Sequence, residues 1–299
     1  TILAVGSIAI DTLETPNGNR SNVLGGSATY FSLAAGLFAP VKLMGVVGND
    51  YPESGCKLFE SRQINTDNVQ VVEGNTFRWG ARYNHDYSSR DTLFTKLGVF
   101  ESYSPIIRDE DRRIPLVFLG NIHPDLQLDV AKMVVSSDFI VIDTMNLWIS
   151  LYPEKLNDVL EMCQIFLLNH EEAIQYTGER EIRKAADKLH NVGLEVVVIK
   201  MGADGAYLSF TDKAFYVPVF PVNKILDPTG AGDSFAGGFM GCLAQTQEPD
   251  FVEAVLTGSA MASYSVEGFG PELLLNVNKS GLNERIAVIR ERMHIAGGA

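Results

Sequence analysis

The string Asp227-Pro228-Thr229-Gly230-Ala231-Gly232-Asp233-Ser234-Phe235 leads into a run of apolar and small residues, Ala236-Gly237-Gly238-Phe239-Met240-Gly241. Pro228 and the glycines mark a turn, and the run after them reads as a buried helix. A glycine-rich turn feeding a helix N-terminus aims several backbone N–H groups at one point, where the helix dipole adds positive potential. The N–H groups of Gly230, Ala231 and Gly232 would hold an anion there, and the glycines let a phosphoryl group approach the backbone. Asp233 borders that cavity, where a carboxylate suits a general base taking a hydroxyl proton as a phosphoryl group transfers. As an isolated Gly-x-Gly-Asp, the same residues also fit a helix start with Asp in its first turn.

The rest of the chain must position this turn. Residues 2–10 are nearly all apolar and read as one strand buried on both faces of a parallel sheet, with Asp11 at its carboxyl end. Open α/β sheets place ligands at that end; Asp11 would hold two sugar hydroxyls there or simply form a turn. Gly25-Gly26-Ser27-Ala28 opens an apolar helix from Thr29 to Phe38, where paired glycines permit close approach of a substrate or tight packing. Val41–Val47 and residues 69–73 read as strands around a helix at 52–62. Between Thr76 and Ser104 the pattern alternates, as in Phe77-Arg78-Trp79-Gly80-Ala81-Arg82-Tyr83, which predicts antiparallel strands with one polar face. Arg78, Arg82, Arg90 and Lys96 in this stretch are either a solvated strand face or cations that meet an anionic substrate group. Leu116–Leu119, Phe139–Ile142, Ile165–Leu168 and Val196–Ile199 are further buried strands, and helices near 250–266 and 282–292 close the chain.

The chain has 299 residues, 46% hydrophobic and 20% charged, with a net charge of −13. A chain this long can bury about three quarters of its unfolded surface. The acidity argues against nucleic acid or an anionic membrane as partner. The three cysteines, Cys56, Cys163 and Cys242, are scattered, as in a reducing compartment. The start lacks a signal core and no apolar run reaches membrane-spanning length, so the expected location is the cytoplasm.

The nine-residue string at 227–235 resembles the C-terminal signature of the PfkB (ribokinase-like) carbohydrate and nucleoside kinases, and other motifs follow in that family's order. Gly25-Gly26 resembles its N-terminal signature, and Asp11 matches its substrate-hydroxyl anchor. Asn169-x-x-Glu172 matches its Asn-x-x-Glu motif, associated with magnesium and phosphate, and Gly202-x-x-Gly205 its turn lining the ATP site. The resemblance implies a ribokinase-like three-layer α/β sandwich spanning residues 1–299, with a mainly parallel sheet. A small β lid, from about 12–23 and 76–104, would be inserted in it.

It also implies ATP-dependent phosphorylation of a hydroxymethyl group on a sugar, sugar derivative or nucleoside. Asp233 would be the base, with Gly230, Ala231 and Gly232 as the anion hole. Asp11, Gly25, Gly26, Ser27, Tyr30 and Arg82 would meet the substrate; Asn169, Glu172, Lys200, Gly202 and Gly205 the nucleotide. Glu172 would reach Mg²⁺ through water. Asp227 and Thr229, with Ser265, Gly268 and Gly270 of the 265–271 loop, would hold a monovalent cation such as K⁺. Ribokinases usually have Lys at position 27 and Asn at position 30, so Ser27 and Tyr30 point away from plain ribose. Met201 stands where Thr or Ser is more usual. Related kinases often pack their lids face to face, so a homodimer through the lid is expected, with Phe77, Trp79, Tyr83, Leu93 and Phe94 supplying apolar area.

Two other classes are weaker. A dinucleotide oxidoreductase needs Gly-x-Gly-x-x-Gly after the first strand, which holds only Gly6. A silent sugar-binding regulator on the same fold would have no need of Asp233.

Overall fold

The computed structural model describes residues 1–87, 89–210 and 213–296. Its centre is a nine-stranded sheet. In chain order its strands are β1 (Ile2–Val5), β4 (Val41–Gly48), β5 (Asn65–Val72), β8 (Leu116–Leu119), β9 (Phe139–Asp143), β10 (Ile165–Asn169), β11 (Val196–Lys200), β12 (Ala206–Phe210) and β13 (Lys213–Val217). They lie in the order β13-β12-β11-β10-β9-β8-β1-β4-β5. All neighbouring pairs are parallel except β11–β12 and β12–β13. The parallel strands are apolar throughout because both faces are covered. Ile2 and Ala4 of β1 belong to one core, Leu3 and Val5 to the other.

Helices α1 (Ser27–Ala35), α2 (Glu53–Ser61), α8 (Ala231–Leu243), α9 (Phe251–Ser265), α10 (Leu273–Asn276) and α11 (Lys279–Ala296) cover the first face. Helices α3 (Pro124–Met133), α4 (Asn146–Leu151), α5 (Pro153–Leu160), α6 (His170–Thr177) and α7 (Ile182–His190) cover the second. Helix α8 is wedged between α1 and α9, and its small residues allow this. A Cβ at Gly237 would lie 2.4 Å from Phe31 O, and one at Gly238 would lie 2.9 Å from Thr257 O.

A four-stranded sheet sits beside this sandwich, in the order β3-β2-β6-β7. It is built from β2 (Ala9–Thr15), β3 (Gly18–Gly25), β6 (Phe77–Tyr83) and β7 (Arg90–Lys96). The apolar run 2–10 is therefore two strands in two sheets, separated at Gly6-Ser7-Ile8. Ser7 and Ser27 hold this crossing: Ser7 N–H donates to Ser27 Oγ at 3.1 Å, and Ser27 N–H donates to Ser7 Oγ at 3.0 Å. The small sheet is mixed, because β2 and β6 run parallel while the outer pairs are antiparallel. Strand β2 was hidden in the sequence by its continuity with β1, and the hairpin β12–β13 by its mixed polarity.

Candidate active site

The signature turn ends at Gly230, which takes a left-handed conformation (φ 74°) as N-cap of α8. A side chain is excluded there twice over, since a Cβ would also meet the Tyr30 ring at 2.3 Å. Asp227 shapes the turn by accepting the Thr229 N–H at 2.9 Å. Ala231 N–H donates to Pro228 O at 3.2 Å, so of the three N–H groups expected to hold an anion this one already has a partner in the turn. Asp233 follows in the same turn. Burial pushes its carboxyl up to about 7, and the nearby Asp143 adds to this, while Lys200 and Arg90 oppose it.

Adjacent parallel strands deliver the opposite wall. Asp143 ends β9, Asn169 ends β10 and Lys200 ends β11. Lys200 Nζ lies 3.2 Å from Asp143 Oδ2, and a Cβ at Gly232 would stand 3.3 Å from the same ammonium. The cation therefore sits beside the N-terminus of α8. Burial works against the Lys200 charge, but Asp143, Glu172 and Asp233 outweigh it and keep its pKa above the usual lysine value. Asn169 and Glu172 cap α6 reciprocally: Glu172 N–H donates to Asn169 Oδ1 at 2.9 Å, and Asn169 N–H donates to Glu172 Oε2 at 2.7 Å. Glu172 is buried, and that burial, with Asp143, pushes it up to about 7. Asp143 carries the same sequence signal as Asp11, an acid at the end of an apolar run.

Asp11 is not at the end of a main-sheet strand, as its sequence context suggested; it lies within β2 of the small sheet. Gly25 makes room for it, since a Cβ there would stand 1.9 Å from Asp11 Oδ2. Burial pushes Asp11 up to about 8, helped by Asp227 and Asp233 and opposed by a hydrogen bond from the Gly26 backbone. Asp11 Oδ1 is buried without a hydrogen-bond partner among the described residues, as are Asp227 Oδ2, Ser265 Oγ and Tyr30 OH. Tyr30 is 1% exposed, so it packs under the Gly230 turn instead of facing an open pocket. Ser27 Oγ is committed to Ser7. Neither side chain is presented to a substrate as expected.

Register sorts the small sheet into two faces. Asp11 is paired with Trp79 of β6 and Val23 of β3, and Tyr83 with Arg90 of β7. These side chains share the face turned to the main domain, where Tyr83 OH lies 2.9 Å from Thr229 Oγ1. Arg78, Arg82 and Lys96 are on the other face, in register with Ile10, Glu14 and each other. Arg82 donates to Glu14 at 2.6 Å and is 59% exposed, so the structure takes it away from the site. Arg78 is paired with Asp50. Phe77, Trp79 and Tyr83 face inward, so of the apolar groups expected to join two lids the register leaves Phe94, opposite Gly80, on the outer face, with Leu93 exposed at the bulge.

Two turns of the small sheet are also tied to the segment before the signature. Asn17 Nδ2 donates to Ile225 O at 2.7 Å, and Tyr87 OH donates to Leu226 O at 3.1 Å. Leu226 N–H donates in turn to Val266 O at 2.8 Å, bringing Asp227 and Thr229 to the loop that holds Ser265, Gly268 and Gly270. A Gly270 backbone hydrogen bond reaches Asp227. Gly202 and Gly205 flank a short 3₁₀ turn after β11. Gly205 (φ 97°) is required because a Cβ would meet Val217 O at 2.1 Å, whereas space is open around Gly202.

The pfkB family carbohydrate kinase pattern matches residues 130–276, which include the ends of β9, β10 and β11 and the signature turn. A cytidine kinase of Thermococcus kodakarensis is 29% identical over 246 residues, 80% of this chain and 87% of that protein. A deoxyribokinase of Salmonella typhi is 29% identical over 280 residues, 88% and 87% of the two chains. The crystal structure of Methanocaldococcus jannaschii nucleoside kinase, an archaeal member of the ribokinase family, superposes with a TM-score of 0.78 at 22% identity. It covers 96% of this chain and 98% of that one. With its motifs in family order, the chain is similar to the pfkB family carbohydrate kinases, whose pattern matches residues 130–276, and it shares their fold from end to end.

Proposed function

We propose that this kinase transfers the terminal phosphoryl group of ATP to a hydroxymethyl group of a neutral sugar or nucleoside. The observation that carries the reading is Asp233 in the first turn of α8, beside free backbone N–H groups and the Lys200 ammonium. The substrate hydroxyl gives its proton to Asp233 while its oxygen bonds to the terminal phosphorus. The bond from that phosphorus to the bridging oxygen breaks, and ADP leaves with the electron pair. The N–H groups of Gly230 and Gly232 face the charge that develops on the transferring group. Asp11 anchors the substrate, Lys200 meets the nucleotide phosphates, and the Gly202–Gly205 turn borders the nucleotide.

Asp227 and Asp233 lie close enough to Asp11 to raise its proton affinity, so an acidic substrate would be repelled. The outward turn of Arg78, Arg82 and Lys96 removes the cations that could have offset this. Trp79, beside Asp11 on the inner face, offers a ring for a base to stack on and favours a nucleoside.

The donor set fits a magnesium ion carried in on the phosphates. Glu172 is one buried acid beside Asp143 and Lys200, and Mg²⁺ commonly meets such a group through water. Bound there, it would neutralise charge on the phosphates. The unpartnered Asp227 Oδ2 and Ser265 Oγ fit a monovalent cation such as K⁺, with Thr229, Gly268 and Gly270 around it.

Coupled ADP release over a panel of nucleosides, pentoses, hexoses, sugar acids and phosphosugars tests the reading. Turnover is expected with a neutral compound and should vanish in Asp233→Asn. Preference for a sugar acid or phosphosugar would overturn the substrate class. A silent regulator would bind without turnover.

A further inference from the structure

Arg285 lies in α11, far along the chain from the signature turn, yet its guanidinium joins three segments that surround that turn. Nη1 donates to Ser263 Oγ at 2.8 Å, and Nη2 donates to Glu267 Oε2 at 2.6 Å. Ser263 is free to accept because its own hydroxyl donates to Ala260 O at 2.6 Å. The guanidinium carbon also lies 3.5 Å from the centroid of the Tyr264 ring and 4.5 Å from that of Phe220. Ser263 and Tyr264 are in the last turn of α9, Glu267 is in the loop after it, and Phe220 belongs to the segment leading into the signature. Ser265 therefore stands between two residues that Arg285 holds. Its Oγ and Asp227 Oδ2 are buried without a partner among the described residues, and both residues are 1% exposed. The Leu226 N–H bond to Val266 O joins the two sides. Arg62, just after α2, holds the far end of the same stretch through Leu275 O and Val277 O.

We infer that Arg285 is a positioning residue for the monovalent cation: it fixes the end of α9 and the loop after it, so that Ser265 stays within reach of Asp227. The inference rests on the cation reading of Asp227 and Ser265 and deepens it. A monovalent ion binds weakly and cannot repay the ordering of a loose loop, so the loop must be held before the ion arrives. A guanidinium suits this task. Its edge bonds two acceptors while its plane stacks on rings, which the compact ammonium of lysine cannot match.

The test is thermal melting of wild type, Arg285→Met, Arg285→Lys and Glu267→Gln as KCl replaces choline chloride at constant ionic strength. A bound ion raises the melting temperature by mass action, so each protein reports its own K⁺ midpoint whatever its starting stability. Arg285→Met keeps an apolar stem between the rings and loses both hydrogen bonds. Its K⁺ midpoint should rise about 10–100-fold, the worth of a hydrogen bond or two to a charged group. Arg285→Lys and Glu267→Gln should fall between it and the wild type. A lower melting temperature with an unchanged K⁺ midpoint would overturn the assignment and leave the cation reading intact. If Arg285→Met does not fold, Glu267→Gln decides by the same measure. A wild type whose melting ignores K⁺ would overturn the inference and the cation reading together, and leave phosphoryl transfer standing.

Discussion

Lys200 and Asp143 meet at 3.2 Å from the ends of β11 and β9, across the end of the strand between them. The pair is largely buried, with side chains 16% and 8% exposed. It is a fixed charge arrangement facing the N-terminus of α8, and it sets the proton affinity of its neighbours.

Removing one member should cost more than removing both. Breaking a buried pair costs about 3–5 kcal/mol, because it strands a charge, and partial exposure should bring Lys200→Met to the low end. The double variant Lys200→Met/Asp143→Leu should regain much of the melting temperature and none of the ATP affinity. Thermal melts with ATP titrations check this; additive losses of stability would show that the two do not act as a pair.

Turnover should depend on pH through Asp233. Its carboxyl is held up at about 7, and the base role proposed for it requires the ionised form. The logarithm of kcat should therefore rise with pH below about 7 and flatten above it. Asp143→Asn removes a negative neighbour, so the rising limb should move to lower pH. Asp233→Asn should lose about 10²–10⁴-fold in kcat with ATP affinity little changed. A limb that ignores Asp143 would assign it to another group.

Asp11 predicts a conflict between binding and stability. Its carboxyl rises from 3.8 to about 8 on folding, so between these values the folded chain holds a proton that the unfolded chain releases. The stabilisation is complete below about pH 4 and is lost as pH climbs toward 8. Asp11→Asn should melt above the wild type at pH 8 but not at pH 4. Above about pH 8, where the carboxyl is ionised, the same variant should weaken acceptor binding, by about 2–3 kcal/mol for charge-assisted hydrogen bonds. Melting curves at the two pH values and acceptor calorimetry separate the effects.

Glu172 has two roles to separate. Glu172→Gln retains an oxygen for the Asn169 N–H and so retains the cap, a contribution of about 1 kcal/mol. A magnesium role predicts an unchanged melt with a higher Mg²⁺ requirement for turnover. An unchanged requirement would leave Glu172 as a cap alone.

Much of this was legible in the sequence because parallel strands announce themselves as apolar runs, and glycines mark turns that admit nothing else. Gly230, Gly25 and Gly205 are such cases. What was hidden depended on pairing. The run 2–10 cannot say that it changes sheets at Gly6-Ser7-Ile8, since both halves are equally apolar. Nor can spacing alone separate Arg82 from Arg90: the β-bulges and the β6–β7 register decide which face each takes. Tyr30 looked like a pocket residue from its place in a motif, but a helix wedged under Gly230 buries it.

Asp11 belongs to the small sheet and Asp233 to α8, so the proposed substrate anchor and the proposed base ride on different elements of the protein. Any swing of the sheet changes the distance between them. An acceptor bound to an open form would be held out of reach of the nucleotide, and could exchange freely before commitment. After transfer, the same swing would carry the phosphorylated product away from the spent ADP. Isotope-trapping of bound acceptor would read this directly, as a partition between release and turnover governed by the Asn17, Tyr83 and Tyr87 contacts that hold the sheet down.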